Sequence, residues 1–171
     1  MVGSSLTEDE FVRHAKLKFP GTDMKANRSF DFTSFVSANA DRSVSGFDYL
    51  HAIYKAQELP SDFIVWVSRL FCPEFKTVDG MVFISEMFDS EKYNELLRDG
   101  RSSSEIQFWI NLLEITGMFD GISSEQAMIV AESIADSWNF KLYKEFGDAF
   151  VQARAILDDT GEVFVTIGNS D

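Results

Sequence analysis

The stretch from Ser102 to Phe146 carries two runs of apolar residues at helical spacing, and the rest of the chain has to fit around them. The first opens Ser102-Ser103-Ser104-Glu105, a capping box in which Ser102 and Glu105 satisfy each other's exposed amides. Ile106, Trp109, Ile110 and Leu113 then recur on one side, with Phe108, Leu112 and Ile115 in a stripe beside them. A helix apolar on two faces is sandwiched inside a fold. The spacing therefore predicts a buried helix with Trp109 in the core and Gly117 as its left-handed stop. The second run opens with a capping box from Ser123 to Gln126 and places Ala127, Val130, Ala131, Ile134, Trp138, Leu142 and Phe146 on one side. Lys141 and Lys144 complement the dipole toward its end, and Gly147 stops it. About 23 residues at 1.5 Å rise reach ~35 Å, the diameter of a small domain.

A chain of 171 residues has single-domain length and can bury roughly 70% of its unfolded surface, so residues 1–171 are read as one domain. Seventeen Phe and three Trp supply core without help from disulfide or metal. The lone cysteine, Cys72, cannot form an internal disulfide, which fits a reducing compartment. Met1 to Ser5 lack the basic and apolar parts of a secretory signal. The longest apolar run, Phe63 to Val67, falls far short of the ~20 residues of a membrane helix. The expectation is a soluble, cytoplasmic protein that does not engage a membrane.

Net charge is −13, and it is unevenly spread. Residues 1–60 hold seven Lys or Arg against eight acids, residues 61–120 five against eleven, and residues 121–171 three against nine. Phosphates are repelled by such a body, which argues against nucleic acid. A basic protein is the partner this charge suits, although acidity also serves solubility alone.

Along the chain, Thr7 and Glu10 cap a helix predicted to about Phe19, with Phe11, Val12, Ala15 and Phe19 inward. Residues 21–45, rich in Asp, Asn and Ser, read as a long surface loop pinned by Phe30, Phe32, Phe35 and Val36, with room for one helical turn. Ser45 and Asp48 open the next helix, which Leu59-Pro60 ends. Phe63-Ile64-Val65-Trp66-Val67 has strand-like composition, but Ser61-Asp62 before it and Leu70-Phe71 after it favour a buried helix. Phe75 to Val78, then Asp79-Gly80, then Met81 to Ile84 is a hairpin with a type I′ turn. A short helix follows over Ser90 to Arg98, with Tyr93, Leu96 and Leu97 inward and Gly100 beyond its end. Glu162 to Ile167 alternates as a strand. The segment 148–157 before it fits helix or strand, and the Asp-Thr-Gly turn between them favours a second hairpin.

Chemistry is sparse. His14 and His51 have no second ligand at metal spacing. Cys72 lies at a helix C-terminus, where the dipole disfavours a thiolate, and is read as a buried, inert thiol. Asp41, Ser43, Ser45 and Gly46 match the first positions of a calcium loop, but Ala52 stands where a bidentate Glu is required, so Ser45 reads as a helix cap. No phosphate loop, nucleophile elbow or zinc helix motif is present, and the sequence designates no catalytic residue, metal or cofactor. The densest acidic stretch, 79–99, offers Glu86, Asp89, Glu91, Glu95 and Asp99 as partner-binding candidates.

The fold expected is α+β: a mostly helical single domain with a central antiparallel helix pair and a small antiparallel sheet made from one or two β-hairpins, helices covering one sheet face. The function expected is a non-enzymatic, acidic protein-binding module, of the inhibitor or immunity type, for a cationic partner. The alternative is an enzyme or small-ligand-binding domain with an aromatic-lined pocket. A flat acidic surface would favour the first, and an enclosed pocket with convergent polar groups the second.

Overall fold

The structure is a computed structural model that describes residues 31–119, 121–149 and 151–169. The helix expected over Thr7–Phe19, and the part of the expected loop before residue 31, lie outside those residues. Seven helices and five strands in two antiparallel sheets are described, which makes the fold α+β. Among the described residues no helix is long and apolar enough to cross a membrane. Internal contacts group the chain into two compact units, Met1–Ser61 and Asp62–Asp171.

In the first unit, α1 is Phe32–Ala38 and α2 is Gly46–Ala56. The expected loop is thus helical over seven residues, because the Asp31 carboxylate caps the Ser34 amide at 2.7 Å and lets Phe35 pack inward. The Tyr49 ring meets Phe32 and Phe35 at centroid distances of 5.6 and 5.5 Å. Ser45 and Asp48 form a full capping box at the head of α2, in keeping with the cap read from the failed calcium loop.

The second unit is built on α7, Ser124–Phe146, whose Ser123–Gln126 capping box and Gly147 stop follow the sequence pattern. Ala127, Ala131, Ile134, Trp138 and Leu142 pack from α7 onto a three-stranded sheet. Its strands are β3 (Leu113–Glu114), β4 (Ala153–Leu157) and β5 (Val163–Ile167), in the order β3-β5-β4. Central β5 buries Val163, Val165 and Ile167 toward α7. Its other face is covered as well, by α5, Ser103–Ile110: Thr166 donates its hydroxyl to the Phe108 carbonyl at 2.7 Å. Close approach there requires Gly168, at φ +106°, since a Cβ would meet Phe108 N and Ser104 O at 3.1 Å.

The first hairpin forms a separate sheet, β1 (Phe75–Val78) with β2 (Met81–Ile84). Asp79 and Gly80 take φ of +49° and +80°, the pair of positive values a type I′ turn needs. All four β2 residues are buried. Val82 and Ile84 join the α7 core, whereas Met81 and Phe83 enter a smaller cluster with Tyr93 of α4 (Ser90–Arg98) and Ile106 and Ile110 of α5. Helices therefore cover both faces of the hairpin, because its alternating side chains are apolar in both directions.

The first of the two expected helices is shorter than its periodicity suggests. It ends at Ile110, and Leu113–Glu114 pairs with Val165 and Phe164 instead of continuing the helix. The polypeptide then makes one turn, α6, Ile115–Met118. Gly117 sits inside that turn rather than at a left-handed stop; a Cβ there would meet the Glu114 carboxylate at 2.7 Å. Ile106 and Ile110 enter the smaller cluster, and Phe108 is buried with its ring edge-on to Trp109, so α5 is apolar on more than one side as its two stripes imply. Trp109 falls on the remaining face and is 42% exposed. Leu97 is likewise exposed, while Tyr93 carries the inward face of α4.

Candidate functional groove

The helix α3, Ser61–Phe71, forms as expected, with Ser61 as its first residue, but none of its residues is buried. Its C-terminal end is tied down. The Trp138 indole N–H donates to the Leu70 carbonyl at 2.8 Å, satisfying a carbonyl the helix end leaves unpaired. The Lys141 ammonium donates to the Pro73 carbonyl. Leu70 and Phe71 pack partly onto the α7 core. The apolar density of Phe63 to Val67, which reads as burial, instead makes an exposed wall. Cys72, just past the helix, is exposed too, because the chain bends there and buries Pro73 in its place.

Phe63, Trp66, Val67 and Leu70, spaced i, i+3, i+4 and i+7, form one side of an open groove of about 520 Å³. Ile84, Leu113 and Trp138 line it from β2, β3 and α7, and Met87, Met118 and Phe119 complete it. Trp66 is 58% and Phe63 41% exposed. Monomeric proteins rarely leave contiguous apolar surface of this kind without a binding role. The two methionines add a soft, adaptable surface.

The polar groups at the groove are Arg69 and Glu86. The guanidinium Nη1 of Arg69 donates to Glu86 at 2.9 Å and to Glu74 at 3.1 Å. Those bonds, to Glu86 first, hold the Arg69 pKa above its ordinary value. The same guanidinium lies 5.8 Å from the Trp66 ring centroid. Two carboxylates against one cation leave this part of the rim net negative.

Of the five acidic candidates, the structure brings Glu86 alone to the groove. Asp89 is consumed as the N-cap of α4, accepting from the amides of Glu91 and Lys92 at 2.8 and 3.3 Å. Glu91 and Glu95 are exposed one turn apart on α4, and Asp99 is its C-cap. His51 is exposed. Among the described residues no three His, Cys, Asp or Glu side chains gather as a metal site. Sequence reasoning missed the groove because its lining comes from five separate segments between Phe63 and Trp138. The one local signal was the i, i+3, i+4, i+7 set on α3. Comparison with protein-family models, with curated proteins and with solved structures finds no match for this chain, so its functional reading rests on the geometry of this groove.

Proposed function

We propose that the protein is a non-enzymatic binding module for a cationic protein partner, and that the α3 groove is the surface that engages it. One observation carries the reading: an open, apolar groove at whose rim two carboxylates, Glu74 and Glu86, converge on one guanidinium. Apolar side chains of the partner fill the groove, and its basic residues meet the carboxylates. Interfaces of this type draw their affinity from buried aromatic and methionine contacts and their specificity from complementary charge. The body's −13 charge adds long-range attraction for the same partner.

Calorimetric titration with a designed Leu/Lys amphipathic helix, its Leu/Glu counterpart and an oligolysine of equal length tests this. The Leu/Lys helix is expected to bind one to one, and Trp66→Ala to weaken that binding by about tenfold or more. Equal binding by oligolysine, or by the Leu/Glu helix, would remove either the groove or the charge from the account.

A second reading, a site for a small apolar ligand, is favoured by the groove volume of about 520 Å³, which lies within the ~300–1,000 Å³ typical of small-molecule sites. A neutral apolar dye that binds one to one and that the Leu/Lys helix cannot displace would decide for it.

A further inference from the structure

Resting on that reading of the groove, we infer that Arg69 is a built-in competitor, occupying the position that a basic side chain of the cationic partner takes on binding. Glu74 and Glu86 come from different segments, the turn after α3 and the turn after β2, yet both accept from the same nitrogen. Their carboxylates are no further apart than bonds of 3.1 and 2.9 Å to that one atom permit. Two like charges so close attract a cation whenever the present one leaves. Arg69 is held loosely enough to leave. Its side chain is 41% exposed, and exposed ion pairs are individually weak. It departs from the end of α3 that Trp138 and Lys141 already anchor, so the helix does not depend on it for its place. The Trp66 ring beside the guanidinium would serve an incoming arginine or lysine equally well. A partner's cation then gains the carboxylates only by displacing Arg69, which weakens every cationic partner and rejects those lacking a strong basic residue at that register.

Arg69→Met keeps the aliphatic stem that lines the groove and removes the competitor. The Leu/Lys helix is expected to bind this variant about three- to tenfold tighter at low salt, while a neutral apolar dye is unaffected. In a Glu74→Gln, Glu86→Gln background the Arg69→Met change is expected to make no difference, since no carboxylates remain to be freed. Arg98→Met, which removes the same charge from α4 outside the groove lining, controls for net charge. Unchanged or weaker binding by Arg69→Met, or an equal gain from Arg98→Met, overturns the competitor and leaves the groove reading standing. Binding of the Leu/Lys helix by neither parent nor Arg69→Met overturns both. Circular dichroism checks that each variant is folded, and the Glu74→Gln, Glu86→Gln pair stands as an independent measure if Arg69→Met is not. That pair is expected to bind the Leu/Lys helix more weakly than the parent, and unchanged affinity would overturn the competitor.

Discussion

Asn111 pairs with Ile84 as a neighbouring strand would. Its side-chain oxygen accepts from the Ile84 amide at 2.8 Å, while its Nδ2 donates to the Val82 carbonyl at 3.0 Å and to the Gln107 carbonyl at 2.8 Å. One fully buried carboxamide thus closes the open edge of β2 and ends α5 at once. Asn139 does the same for β4, accepting from the Ala153 amide at 2.7 Å and donating to its carbonyl at 2.9 Å. Unpaired backbone groups at a covered sheet edge are costly, and these side chains remove that cost.

Asn111→Leu should therefore destabilise by roughly 1–3 kcal/mol, because buried backbone groups of β2 lose their partner. Urea denaturation measures it. A loss below about 1 kcal/mol would mean that water or a neighbouring group replaces the carboxamide.

The Tyr93 hydroxyl donates to the Asp79 carboxylate at 2.6 Å, tying α4 to the hairpin turn. That bond, and after it burial, pushes the phenol from 10.0 up to about 12. The folded pKa lies above the unfolded one, so Tyr93 contributes its stability in full below pH 10.0 and loses it as pH rises toward about 12. Tyr93→Phe should cost roughly 0.5–1.5 kcal/mol at neutral pH and should flatten the alkaline decline. Denaturation curves for parent and variant across that range check both, and an identical alkaline decline in the two would refute the assignment.

Gly80→Val places a β-branched residue at φ +80°. It should cost roughly 1–2 kcal/mol through strain alone, since a Cβ at that position meets no atom within 4 Å. Thermal unfolding that leaves the variant as stable as the parent would contradict the type I′ assignment.

Trp138 and Trp109 should separate clearly. Trp138 is 1% exposed and holds the Leu70 carbonyl, so Trp138→Ala should lose roughly 3–5 kcal/mol. Trp109, with much of its ring in solvent, should lose distinctly less when truncated. Comparable losses in chemical denaturation would put Trp109 back in the core.

Glu91→Lys with Glu95→Lys tests whether the acidic stripe of α4 steers the proposed partner. Both residues are exposed, and folding should change by no more than about 0.5 kcal/mol. Association of the Leu/Lys helix should slow at low ionic strength and converge with the parent at high salt. Equal association rates at low salt would leave the stripe with solubility as its sole effect.

Local chemistry was enough to place the caps, turns and element types of this chain. Ser45, Ser102 and Ser123 each form the capping box their spacing announces, and Asp79-Gly80 turns as its residues demand. Residues 61–71 are helical and residues 153–157 a strand, as their flanks suggest. These features depend on residues within a few positions of one another, so the sequence alone contains their cause. Tertiary structure decided which apolar surface is covered. The periodicity through Leu113 and Ile115 lost to strand pairing with β5, and the exposed sides of Trp109 and α3 depend on which elements come to lie beside them. The groove is the extreme case. Phe63, Ile84, Met118 and Trp138 meet there only because a hairpin and a sheet bring distant segments together, and no local pattern distinguishes an apolar helix face that fills a core from one that waits for a partner.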